Sequence, residues 1–143
     1  MRAIVVGTDG SPPAKAALRK AAEIARGAGA RVHLVTAFPD VPAHLEKLTG
    51  SSTADPIGLR EVAEAVLARA GKQLEEQGIE VETHDRAGDP ADVIIDVAKE
   101  HGADLIAVGA RGLSGLERFL LGSVSSKLAQ HAPTSVMIVR EPS

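Results

Sequence analysis

The residues best placed to do chemistry lie near the end of the chain, in "VGARGLSGLERFLLGSVSSKLAQ", residues 108–130. Glycines stand there at 109, 112, 115 and 122, followed by serines at 123, 125 and 126. Glycine has no Cβ, so backbone N–H groups beside it can come close to a phosphate oxygen. Ser123 and Ser125 open a helical pattern, and the free N–H groups and positive dipole end of a helix start favour an anion. Gly109, Gly112 and the Gly122-Ser123 pair therefore read as a phosphate cradle between a strand and a helix. A structural alternative stands beside it: Ser114 to Glu117 fits a capping box, which would make 115–121 a short packed helix. Two charged side chains could complete an anion site. Arg111 could neutralise a phosphate or equally project into solvent. Asp9, in "GTDGS", could bind ribose hydroxyls or a Mg²⁺ shared with phosphates, or serve only as a turn former before Gly10.

Other chemistries are weaker or excluded. There are no cysteines, which removes disulfides, thiolate catalysis and Cys-based metal sites. No G-x-x-x-x-G-K-[ST] occurs. "GAGARV" at 27–32 lacks the third glycine of a dinucleotide fingerprint and precedes a strand instead of following one. Histidines 33, 44, 84, 101 and 131 show neither i,i+4 pairing nor an acidic companion. They read as surface or strand-end residues, and the metal ligands, if any, stay unassigned.

Five short apolar runs and four helical patterns must position these residues. The runs are 3–7, 31–38, 80–87, 104–109 and 135–140. The first, fourth and fifth are nearly continuous in Val, Ile, Leu and Ala, as parallel strands covered on both faces are. The third alternates with polar residues, which suits a sheet edge. Residues 12–28 predict a helix with Ser11 as N-cap, Pro12 in its first turn and Gly29 as its stop. A second helical stripe covers 59–77 and ends at Gly78. A third opens at Asp89-Pro90 and stops at Gly102, and a fourth covers about 123–131. Strands alternating with helices imply a parallel sheet with right-handed crossovers. Gly109 and Asp9 then both leave strands at the carboxyl edge, where open α/β sheets bind ligands. Residues 39–58 read as a long surface loop.

The 143 residues suggest one domain, 1–143, of 44% apolar and 24% charged residues. A net charge of −3 argues against duplex DNA or an anionic membrane as partner. Two Phe, with no Trp or Tyr, argue against an aromatic platform for single strands. No apolar run approaches 18 residues, and the start is too short for a signal peptide before Asp9 interrupts it, so a cytoplasmic address is expected.

Three stretches carry a resemblance over the whole chain: "AIVVGTDGS" at the first strand, "GDPADVI" at the third helix, and "VGARGLSGLERFLLGSVSSKLAQHAPTSVMIVR" at the end. Together they resemble single-domain universal stress proteins of the ATP-binding type, whose nucleotide motif is G-x2-G-x9-G-[ST]. The resemblance implies an α/β, Rossmann-like fold with an open five-stranded parallel sheet of order 3-2-1-4-5 and helices on both faces. It also implies a homodimer and ATP, with Mg²⁺, as ligand. Gly7, Thr8 and Asp9 would flank adenosine, and the backbone of Ala37 would bond adenine. Gly109, Arg111, Gly112, Gly115, Gly122, Ser123, Val124 and Ser125 would hold ribose and phosphates.

Three functions remain open. One is an ATP-binding regulatory module in the stress response, reporting nucleotide state to an unidentified protein partner. A second is a slow ATPase or phosphoryl-transfer enzyme, and a third is a dimeric module for another ligand such as a cyclic nucleotide. The absence of a P-loop lysine or a second base beside Asp9 favours the first. For assembly, "SVMIV" presents Val136, Ile138 and Val139 on an edge strand without lysine, an edge that invites symmetric self-pairing.

Overall fold

The computed structural model describes residues 1–39, 58–111 and 121–141. Gly112, Gly115, the Ser114–Glu117 stretch and nearly all of the 39–58 segment lie outside the described residues.

Strands and helices alternate along the chain: β1 (Ala3–Gly7), α1 (Pro12–Ala28), β2 (Arg31–Phe38), α2 (Leu59–Glu75), β3 (Val81–Ala87), α3 (Pro90–His101), β4 (Leu105–Gly109), α4 (Ser123–His131) and β5 (Ser135–Val139). The five strands form one parallel sheet in the order β3-β2-β1-β4-β5. The fold is therefore the open, Rossmann-like α/β arrangement that the strand–helix alternation requires.

Local chemistry explains where elements begin and end. The Ser11 hydroxyl accepts the Ala14 N–H at 3.4 Å, two prolines follow, and Gly29 closes α1 in the left-handed region. Asp89 caps α3 in the same way, accepting the Asp92 N–H at 3.1 Å, and Gly102 ends that helix. Helix α2 stops at Glu75, two residues short of the expected end, and Gly78 follows at φ 78°.

Alternation along the strands sends side chains into two cores. Ile4, Val6 and Leu34 pack with Leu18, Ala21 and Ala25 of α1 and with Leu67, Ala70 and Leu74 of α2. Val5, Val35 and Ile106 pack on the opposite face with Val93, Ile94 and Val97 of α3 and with Leu128 of α4. The alanines let α1 lie close to the sheet. Leu128 is fully buried, and burying a leucine contributes about 1.5–3 kcal/mol, which anchors the short α4. No described helix is long and apolar enough to cross a membrane.

Candidate functional site

The order of the sheet reverses between β1 and β4, which are direct neighbours. Chain leaving β1 goes to β2 on one side, and chain leaving β4 goes to β5 on the other. The loops diverge and leave a crevice at the carboxyl ends of the two strands. A cleft of about 210 Å³, open to solvent, lies there.

Of the residues singled out from the sequence, Gly7, Thr8, Asp9, Ala37, Gly109, Arg111, Gly122, Ser123, Val124 and Ser125 all line this cleft. The fold thus gathers segments more than 100 residues apart in the chain. Sequence reasoning did not find the apolar walls: Ala14 from α1, Val35 from β2, Pro90 and Ile94 from α3, and Val108 from β4. One signal was available, since Val35 lies two residues from Ala37 and strand alternation puts both on one face.

The β1 exit is tied down by hydrogen bonds. The Thr8 N–H donates to the Val35 carbonyl at 2.9 Å, and the buried Thr36 hydroxyl donates to the Thr8 carbonyl at 2.8 Å. Asp9 does form a turn: one carboxylate oxygen accepts the Ser11 N–H at 2.9 Å, and Gly10 follows at φ 79°, where a side chain would be strained. The turn role does not consume the carboxylate, which is exposed and lines the cleft.

Strand β2 outruns β1, whose last residue, Gly7, is paired with Val35. The Val35 carbonyl faces β1, whereas the Phe38 carbonyl accepts the Gly88 N–H on the β3 side. By strand alternation, the backbone groups of Ala37 face the β1 side, beyond the end of that strand.

At the opposite wall α4 begins. Gly122 is its N-cap, and among the described residues no side chain caps the helix. The Gly122 N–H donates to the Ala110 carbonyl at 2.7 Å. The buried Ser125 hydroxyl donates to the same carbonyl at 2.9 Å and to the Gly122 carbonyl at 3.1 Å. Ser125 therefore spends its proton on locking α4 to the β4 exit, whereas Ser123 is exposed at the cleft. Lys127 holds the helix laterally to α3 through Asp89 at 3.2 Å and Asp92 at 2.9 Å. Gly122, Ser123, Val124 and Ser125 bring the first turn of α4 to the cleft wall, a helix end that favours an anion. Half-buried Arg111 lines the same space.

Gly109 has a packing role besides its place in the cleft wall: a Cβ there would lie 2.6 Å from the Pro13 carbonyl carbon and 2.8 Å from its oxygen. Its missing side chain lets the start of α1 pack against β4. A Cβ at Gly7 would likewise meet the tip of the Ile94 side chain at 2.5 Å. The reading of the histidines needs correction. His33 is buried, and His33, His84 and His101 come together with Glu82 at the amino ends of β2 and β3 and the last residue of α3. Helical i,i+4 spacing was the wrong pattern to seek. Glu82 and His84 share a face of β3 by period-two alternation, and Glu82 is in register with His33 on the neighbouring strand.

Comparison with known proteins agrees with this architecture. The model of the universal stress protein family matches residues 1–140. A universal stress protein of Methanocaldococcus jannaschii is 35% identical over 97% of this chain and 82% of its own. A universal stress protein solved in complex with cAMP is 30% identical, with a TM-score of 0.77 over 99% of this chain and 98% of that one. The universal stress protein of Archaeoglobus fulgidus in complex with dAMP is also 30% identical, with a TM-score of 0.71 over 97% and 98% of the two chains.

Proposed function

This chain belongs to the universal stress protein family, and from that premise we propose that it is a regulatory module that binds ATP with Mg²⁺ in the β1/β4 cleft and acts as a homodimer. The observation that carries the proposal is the start of α4, with no side-chain cap among the described residues, lining the switch-point cleft. Relatives solved in complex with cAMP and dAMP support an adenine nucleotide as the ligand class. The Gly109-x2-Gly112-x9-Gly122-Ser123 motif resembles that of the ATP-binding members of the family, which supports ATP within that class.

Each residue then has a role. The Ala37 backbone bonds the adenine edge, and Val35, Val108 and Ile94 enclose the base. Gly7, Thr8 and Asp9 border the nucleoside, with the Asp9 carboxylate available to ribose hydroxyls or to Mg²⁺, which screens phosphate charge when bound. The N–H groups of Ser123, Val124 and Ser125, together with Arg111, Gly112 and Gly115, hold the phosphates. Among the described residues lining the cleft, Asp9 is the one acid and Arg111 the one cation. Fast phosphoryl transfer needs a positioned nucleophile and added cationic charge in the transition state. A cradle that holds ground state and transition state equally does not raise the chemical rate. The cleft suits holding a nucleotide better than consuming it.

Titration calorimetry with ATP, AMP and cAMP, each with Mg²⁺, tests the proposal. ATP is expected to bind most tightly and at one per chain. At 1,000-fold excess over Kd it should stabilise the native state by about 4 kcal/mol, which raises the melting temperature on the order of 10 °C for a chain of this size. Turnover over the same incubation should be on the order of 10⁻³ s⁻¹ or slower, as in an unassisted GTPase. Tighter binding of cAMP than ATP would move the assignment to a cyclic-nucleotide module, and turnover well above one per second to an enzyme.

For assembly, β5 is an edge of the sheet whose residues Val136 to Val139 remain half-buried in the single chain. Val136 and Ile138 already pack on the α3 face, so Ile138→Asp would damage the core as well as an interface. Val139→Asp is the cleaner variant. Sedimentation at micromolar concentration should show a dimer for the parent and a monomer of unchanged secondary structure for Val139→Asp. A monomeric parent would remove the dimer from the proposal.

A further inference from the structure

A second site lies at the end of the sheet opposite the cleft. His33 of β2, Glu82 and His84 of β3, and His101 of α3 each offer one ligand atom, and these atoms all fall within 4.8 Å of one another. His33 Nδ1 is 3.1 Å from His84 Nε2 and 3.5 Å from a Glu82 carboxylate oxygen. The His101 ring stacks on His33 with centroids 4.0 Å apart. Around a tetrahedral Zn²⁺ with bonds of 2.0–2.1 Å, neighbouring ligand atoms stand about 3.4 Å apart. The two His33 spacings, 3.1 and 3.5 Å, bracket that figure, and the others, up to 4.8 Å, would close by side-chain rotation around an ion.

We propose that His33, His84, His101 and Glu82 form a binding site for a divalent transition metal of the Zn²⁺ class. Three imidazoles and one carboxylate suit Zn²⁺, Cu²⁺ or Ni²⁺ and disfavour Mg²⁺ and Ca²⁺, which take oxygen ligands. Access and anchoring are both present. His33 is buried and fixed by the sheet, while Glu82 and His101 are exposed, so an ion can enter from solvent. Burial, reinforced by the nearby His101, pushes His33 down to about 4, and burial lowers His84 as well. Burial thus favours the uncharged ring in both, the form that offers a lone pair. The adjacent Arg86 guanidinium is engaged by Glu100 in a bidentate pair at 2.5 and 2.8 Å, so its charge is balanced locally. Without metal, the His33–His84 contact is an ordinary ring-to-ring hydrogen bond, which is the competing reading of the same geometry.

Untagged protein, stripped with a chelator and free of nucleotide, should be titrated with Zn²⁺ by calorimetry and with Co²⁺ by absorption. One Zn²⁺ per chain is expected, with intense Co²⁺ d–d bands of a tetrahedral site. His84→Ala and His101→Ala leave the buried His33 in place, so both variants should fold. Each should weaken Zn²⁺ by at least about 100-fold, the upper end of what losing even an outer-shell partner costs, and should abolish the Co²⁺ bands. Ser123→Asp, which alters only the nucleotide cleft, should bind Zn²⁺ like the parent. Absence of stoichiometric Zn²⁺ binding at tens of micromolar, or binding unchanged in both histidine variants, would overturn the site and leave the hydrogen-bonded cluster as structure only.

Discussion

Ser123→Asp is expected to lower affinity for ATP by two to three orders of magnitude while leaving the fold as stable as before or slightly more so. Ser123 is the first residue of α4, is exposed, and lines the cleft. A carboxylate there sits at the positive end of the helix dipole, an arrangement that stabilises a helix by about 0.3–1 kcal/mol. The same carboxylate would stand in the space proposed for phosphate. Two unit charges 5 Å apart repel by about 3 kcal/mol at an effective dielectric constant of 20, a factor of a few hundred in Kd. The opposite signs of the two effects make the variant informative, because lost binding could not be attributed to a damaged fold. Calorimetry and thermal melting on one preparation check both. Affinity for ATP within about threefold of the parent would place the phosphates away from the α4 start.

Gly109→Ala is expected to have the largest effect on stability of any single-methyl change at the cleft. The added Cβ would lie 2.6 Å from a backbone carbon of Pro13, and a backbone atom in the first turn of a packed helix cannot rotate away as a side chain does. Overpacking typically costs 1–3 kcal/mol and occasionally more. With a rigid obstacle, a loss of about 3 kcal/mol or more is expected, a fall in melting temperature of roughly 6–12 °C. ATP affinity should fall too, because Ala14 of α1 and Gly109 share the cleft wall. Gly7→Ala is the comparison: its obstacle is the tip of Ile94, which can swing, so the loss should be smaller. A Gly109→Ala protein with the parent's melting temperature and no ATP binding would favour a phosphate contact over packing as the role of Gly109.

Much of the site was legible because its parts are local signals. "GTDGS" and "GSVSS" each join a strand exit or loop to a helix start, and Asp9, Ser11, Gly122 and Ser123 stand where turn and cap chemistry put such residues. The apolar walls were less legible. Ile94 and Pro90 come from a helix whose sequence shows only an amphipathic stripe, and nothing local says which of its residues meets β1. Gly109 marks the same limit from the other side. Its packing against Pro13 is not legible in the sequence, since a glycine looks the same there whether a ligand or a neighbouring helix approaches it.

What the sequence by itself determined was the succession of strands and helices, because Ser11, Asp89, Gly29 and Gly102 act on the backbone within a few residues of themselves. Hydrophobic runs likewise marked β1 and β4 as buried and β3 as an edge. Only the tertiary structure decided which residues far apart in the chain share a surface. It carried Asp9 and Ser123 to one cleft, and it carried His33, His84 and His101 to one cluster. The physical reason is that side-chain proximity across a parallel sheet depends on register and crossover. His33 meets Glu82 because β2 and β3 pair in that register, and His101 reaches them because α3 runs back across the sheet to its amino end. A register shifted by one residue would turn Glu82 and His84 to the opposite face, with the local sequence signals unchanged.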